Sequence, residues 1–246
     1  MAGLQTSAAG PLRAWPFLIP GGCLMLIQNF VRLGALLAVL VMTGCATSRS
    51  EIRLTAAPAP DKAASGSEVV IRSIEDVRVF EEAPPHPGTP SLGWGGAGAA
   101  PVEVKARAVG RKRNAYGKAL GDVLLEPGDS VVDVIRQNLA TALSSSGYRV
   151  VEASQASSSA LQLDVRIDKF WAWFQPGFWQ ITLNGDIATQ LSFEGHAQPH
   201  NVTVSAQDKR QAAHDGAWVE ILDMALAQYR AAVAAQAGNF PKAASN

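Results

Sequence analysis

The chain has 246 residues, 48% of them hydrophobic and 17% charged, and its 21 basic and 21 acidic side chains cancel to a formal net charge of zero. That balance removes the electrostatic reason to expect nucleic acid as a main partner, and the aliphatic content suits one packed domain once an export segment and loops are set aside. Both cysteines, Cys23 and Cys45, fall near the N-terminus, so the folded part holds no thiol for a disulfide framework, a nucleophile or a thiolate metal site.

From Met25 the sequence MLIQNFVRLGALLAVLVMTGCATS sets one positive charge, Arg32, before an uncharged apolar run from Leu33 to Met42, followed by small residues and a cysteine. This is the layout of an export signal, and the run is shorter than the about 20 residues a transmembrane helix needs. Met42-Thr43-Gly44-Cys45 resembles the lipobox of bacterial lipoproteins. The resemblance implies that residues 1–44 are a signal peptide and that Cys45 becomes the lipidated first residue of the mature chain, while the Pro, Gly and second apolar patch of residues 1–24, which no export signal requires, point to a translation start at Met25. Two or more acyl chains hold a domain stably on a bilayer, at about 0.8 kcal/mol per buried CH₂. Ala46 follows the cysteine, where an Asp would resemble an inner-membrane retention signal, so the expected location is the outer membrane, facing the periplasm.

Residues 45–67, rich in Ala, Ser and Pro, read as a lipidated flexible tether, and an α+β domain is expected over 68–237. Glu68 to Phe80 predicts a strand with an extended continuation. Residues 81–101 have the Pro and Gly density of a long mobile loop. Val102 to Val109 alternates and predicts a strand, and Leu120 to Leu125 a short one. A helix follows in GDSVVDVIRQNLATALSSSGY, with Val131, Ile135, Leu139, Ala142 and Leu143 at helical spacing, Asp129 or Ser130 as its N-cap, Ser130 with Asp133 approximating a capping box, and Gly147 as its left-handed end. Tyr148 to Glu152 predicts a strand.

Leu161, Leu163, Val165 and Ile167 alternate with polar residues, and after Gln175-Pro176-Gly177 the alternation resumes through Trp179, Ile181, Leu183, Ile187 and Leu191, which predicts a long hairpin. Asn201 to Gln207 predicts a further strand. A last helix, from about Ala213 to Ala235, carries Trp218, Ile221, Leu222, Ala225, Leu226, Tyr229 and Val233 on one stripe, and residues 238–246 read as a disordered tail. The expected fold is a single α+β domain, a largely antiparallel sheet with two amphipathic helices packed on one face.

IEDVRVF, then VGRKRNAYGKALGDVLLEPGDSVVDVIRQNLATALSSSGYRV, then a hairpin and a final helix resemble the YajG family of bacterial lipoproteins over roughly residues 68 to 235. Asp76, Arg78, Gly110, Gly117, Gly121 and the helix leading to Gly147-Tyr148 carry the resemblance. It implies location and fold, and transfers no catalytic residue.

Two clusters are candidate sites. The hairpin end packs Phe170, Trp171, Trp173, Phe174, Phe178 and Trp179 together, and strict alternation sends Trp171, Trp173 and Trp179 to the core side and the three Phe outward. Either a second layer covers the outward set, or it forms a patch for a partner protein or the membrane interface. The basic group Lys105, Arg107, Arg111, Lys112 and Arg113, with Lys118 beside it, suits lipid phosphates or anionic glycans, or is a solvated strand edge neutralised by nearby carboxylates.

His196 and His200 lie in a Pro-containing loop without a third ligand, so no metal is expected, nor any cofactor. Asp168, Asp186 and Glu194 are candidate acid–base carboxylates, but Asp168 and Asp186 fall on the solvent side of their strands, and no nucleophile elbow, phosphate loop, zinc-protease or dinucleotide motif is found. The expected function is therefore a non-enzymatic envelope lipoprotein that binds a protein partner or assists assembly. A lipid- or glycan-binding module is the alternative.

Overall fold

A computed structural model describes residues 49–59, 65–93, 96–114, 116–177, 179–211 and 214–242; the expected signal peptide, Cys45, Phe178 and residues 243–246 lie outside them. Strands β1 (Ser50–Ile52), β2 (Glu68–Asp76), β3 (Ala108–Arg113), β4 (Ala119–Leu125), β5 (Arg149–Val150), β6 (Leu161–Pro176), β7 (Ile181–Phe193) and β8 (His200–Arg210) form one sheet. The helices are α1 (Gly96–Ala99), α2 (Val102–Arg107), α3 (Val131–Ser145) and α4 (Asp215–Gln236). The result is a single α/β domain with a mixed sheet. The largely antiparallel expectation is corrected: β3–β4, β6–β7 and β7–β8 are antiparallel, but β1–β4, β2–β5, β2–β6 and β3–β6 are parallel. Long intervening segments return the chain in the same direction, as parallel pairing requires.

Strand β6 organises the rest. One edge pairs with β7 along nearly its whole length, while the other is divided between β2, from Leu161 to Ile167, and β3, at Ala172. Gly110 allows that last approach, since a Cβ there would meet the Ala172 carbonyl oxygen at 2.9 Å. Arg78 fills the gap between β2 and β3. Its guanidinium donates to the carbonyls of Phe170 on β6 (3.1 Å), Ala108 on β3 (2.6 Å) and Lys105 on α2 (2.8 Å), and its Nε and Nη2 grip the Asp76 carboxylate at 2.8 and 2.7 Å. The charge is fully out of water and is held by a bidentate partner, the arrangement a buried guanidinium requires.

The β6–β7 register shifts between Ile167 and Lys169. A one-residue irregularity exchanges the faces of every side chain beyond it. Leu163, Val165 and Ile167 therefore share a core with Phe170 and Ala172, and Phe174 packs against that core, whereas Trp171 and Trp173 point the other way. The expectation that the Trp residues face the main core and the Phe residues face outward is corrected by this bulge.

The main core also contains Val131, Ile135, Leu139, Ala142 and Leu143 of α3 and Trp218, Ile221, Leu222, Ala225, Leu226, Tyr229 and Val233 of α4. Ser130 accepts from the Asp133 amide at 3.1 Å, and Gly147, at φ +96°, closes α3 with Tyr148 N–H donating to the Leu143 carbonyl. These are the stripes and caps the spacing predicts.

The second core unites Trp171, Trp173, Leu124, Ala108 and Leu92, with Phe80, Ala100 and Val104 packed against it. Residues 81–101 supply much of its cover: Trp171 Nε1 donates to the Pro87 carbonyl at 3.1 Å, and the His86 ring meets Trp173 edge-on. Among the described residues of this segment, His86, Pro87 and Leu92 thus pack against the sheet.

Three further expectations change. Residues 102–107 are helix α2 rather than strand, because their alternate apolar positions do not lie on the sheet. The tether is shortened, because Ser50–Ile52 pairs with β4, Ile52 is buried, and Thr55 is held by Asp223. The expected tail docks as far as Pro241, with Phe240 buried and the Tyr148 hydroxyl donating to the Ala237 carbonyl at 3.1 Å.

Trp171→Ala is expected to cost about 3–5 kcal/mol in urea unfolding, as loss of a large core side chain does. Trp179→Ser, at a position 86% exposed, is expected to stay within about 0.5 kcal/mol of wild type.

Candidate functional site

On the face of the sheet covered by residues 81–101, strand alternation brings together Arg49, Asp122, Arg111 and Arg113. Arg111 lies opposite Asp122 in the β3–β4 register, and Arg113 follows two residues later beyond a second irregularity. Asp122 is fully buried. Its carboxylate accepts from the Gly93 amide at 2.8 Å and from Arg49 Nε at 3.2 Å. A methyl group at Gly93 would sit at ordinary contact distance, 3.5 Å, from both an Arg111 Nη and Asp122 Oδ1, so Gly93 lies directly against this corner.

Arg49 pairs with this carboxylate, Arg111 lies across the strand pair from it, and Arg113 lies beside Arg111. Arg113 reaches the Ser91 hydroxyl at 3.2 Å and the carbonyls of Gly117 and Pro84 at 3.4 and 3.5 Å, all long contacts. The Arg111 side chain makes no hydrogen bond to a described residue, and the Nε atoms of both Arg111 and Arg113 are shielded from water without a partner. Burial, and next the charge of Arg111, push the Arg113 guanidinium below its ordinary value. A shielded donor left unpaired costs about 1–3 kcal/mol, so two in adjacent side chains mark a place that an acceptor would relieve.

The rest of the expected basic patch is dispersed. Arg107 is bound to the Leu125 carbonyl at 2.8 Å and to Glu51, Lys112 leaves by the opposite face to reach Ser50, and Lys105 lies on α2. Of the five residues, only Arg111 and Arg113 meet. Arg49 joins them from a segment that reads as tether.

The aromatic cluster is mostly interior. Phe170 and Trp171 are fully buried, Trp173 nearly so, and Phe174 is half-buried against Trp218, so these four present little or no surface to a partner; among the described members, Trp179 remains exposed. Two buried layers account for the density of aromatics, one on each side of β6.

The carboxylates considered as acid–base groups are occupied by cations and do not converge. Asp168 pairs with Arg166 at 3.0 Å, Asp186 with Lys169 at 2.6 Å, and Glu194 with Arg72 at 3.0 Å. His200 stacks edge-on with Phe193 and Phe240. No group of three or more His, Cys, Asp or Glu among the described residues is placed to hold a metal ion. A groove of about 560 Å³ between the ends of α3 and α4 is lined by Ser67, Ser145, Tyr148 and Lys242, without a pair of groups suited to proton transfer. No described helix is long and apolar enough to cross a membrane.

No protein-family model matches the chain, and no curated protein matches it. Solved structures do. It is similar to an uncharacterized protein at 14% identity, over 77% of this chain and 97% of the other, with a TM-score of 0.41. Protein XCC0632 from Xanthomonas campestris is similar at 10% identity, over 78% and 96% of the two chains, with a TM-score of 0.43. Lipoprotein GNA1162 from Neisseria meningitidis is similar at 10% identity, over 66% and 96%, with a TM-score of 0.27.

Asp122→Asn keeps the shape of the corner but removes the charge that Arg49 and the Gly93 amide share. It is expected to lower stability by roughly 2 kcal/mol in urea unfolding and to open residues 81–101 to limited proteolysis. Unchanged stability and cleavage would show that the carboxylate does not hold the cover.

Proposed function

We propose that this chain is a bacterial envelope lipoprotein of the YajG type, anchored by acyl chains on Cys45 to the outer membrane and facing the periplasm, and that it acts by binding rather than by catalysis. The observation that carries this reading is the nearness of the lipobox to the folded sheet. Arg49 is the fourth residue after Cys45 and is already tied to Asp122, and Ser50 begins β1. A chain advances at most about 3.6 Å per residue, so the covalent link places Arg49 within about 15 Å of an acylated Cys45. A domain on so short a lead is held close to headgroup level.

Binding rather than catalysis is supported by the ion-paired state of the candidate carboxylates and by a corner whose one buried acid, Asp122, is engaged by Arg49 and the Gly93 amide. Trp179, exposed at the hairpin end, is the surface we assign to an envelope protein partner. The reading requires no cofactor.

Metabolic labelling with palmitate, followed by mass spectrometry of the mature N-terminus, tests the anchor. The expected result is a labelled chain beginning at a diacylglycerol-modified Cys45, with label abolished in Cys45→Ser. An unlabelled chain, or an N-terminus elsewhere, would overturn it.

A further inference from the structure

We infer that Arg111 and Arg113 form a receptor for a phosphate or phosphodiester anion, with Arg49 and the Ser91 hydroxyl at its margin. Four observations carry this. The two guanidinium groups lie on one sheet face and repel each other, and the carboxylate beside them is already engaged by the Gly93 amide and Arg49. The Arg111 fork is unused by any described residue, and the Nε atoms of both arginines lack an acceptor. Both side chains are only partly buried, so the cluster is open on one side. The contacts that Arg113 does make, to Ser91, Gly117 and Pro84, are long and leave its donors weakly used.

A planar guanidinium offers parallel N–H donors matched to the spacing of two oxygens on one centre. Two such forks side by side supply enough donors for several oxygens of a tetrahedral phosphate, whereas a carboxylate fills only one. The anion cancels the surplus positive charge and gives the shielded donors an acceptor. Its source is either free phosphate or the headgroup of a phospholipid. The lipid source rests on the proposed anchoring at Cys45, because the short lead to Arg49 is what brings the cluster to headgroup level. The anion chemistry does not depend on it.

The test uses the chain as the cell processes it, purified in a nonionic detergent at low salt. Thermal unfolding is followed against inorganic phosphate, micelles of short-chain phosphatidylglycerol, and acetate at matched ionic strength. A bound anion is expected to raise the Tm by several degrees at about a hundredfold its Kd, and Arg111→Gln is expected to weaken that response at least tenfold in probe concentration. Arg53→Gln, at an exposed arginine paired with Glu126, is expected to respond like wild type.

A response to phosphatidylglycerol alone assigns the site to a lipid headgroup, and a response to inorganic phosphate alone assigns it to free phosphate. A response to both confirms the shared chemistry. No response to either, a response to acetate as large as to phosphate, or an Arg111→Gln variant that binds as wild type does would each overturn the proposal. Because Arg111 has no hydrogen bond to a described residue to lose, Arg111→Gln and Arg111→Lys remain folded probes where Arg113→Gln unfolds. The titration needs no acyl chain, so its failure is separate from failure of the palmitate labelling.

Discussion

The sheet depends on one guanidinium group. Strand β6 needs partners along both edges, and on one edge β2 ends at Asp76 while β3 reaches it only at Ala172. Backbone carbonyls exposed in such a gap, deep between two cores, would lose their hydrogen bonds to water and gain none. Arg78 spans the gap, serving Phe170, Ala108 and Lys105 at once, while Asp76 two residues earlier balances its charge. The ring of Phe80, 5.3 Å from the guanidinium, covers it further. β2–β5 on one side and β3–β4–β1 on the other both pair with β6, and this contact closes the gap between them.

The bulge beside Asp168 has the second large consequence. It turns Trp171 and Trp173 away from the helices, so the opposite face of the sheet also needs cover, and residues 81–101 provide it. That cover delivers Ser91 and Gly93 to the corner where Arg49, Asp122, Arg111 and Arg113 meet. The anion site is thus a by-product of burying two tryptophans.

Helices α3 and α4 and the β6–β7 hairpin were legible because their signals are local: apolar residues at helical spacing, a Ser130 cap, Gly147, and alternation on both sides of Pro176-Gly177. What was not legible depends on distant partners. β1 is three residues long and exists only because β4, some seventy residues away, pairs with it. The alternation of Val102 to Val109 mimics a strand, but its first six residues coil as α2. The bulge at Asp168 leaves no mark in the alternation preceding it, so the faces of the aromatics were inverted. Arg111 and Arg113 were recognisable as members of a basic group, but their company was not, since Arg49 sits in a segment composed like a tether and Asp122 reads as an ordinary neutralising acid.

Arg49, the edge strand β1 and the cationic corner occupy one end of the sheet, and the integrity of that end rests on the joint at Arg78. Arg78→Lys tests this most directly, because lysine keeps the charge and much of the stem but cannot serve three carbonyls and a bidentate carboxylate together. The account predicts a loss of at least about 3 kcal/mol in urea unfolding at neutral pH. A lysine variant as stable as wild type would contradict the claim that the guanidinium fork joins the two halves of the sheet.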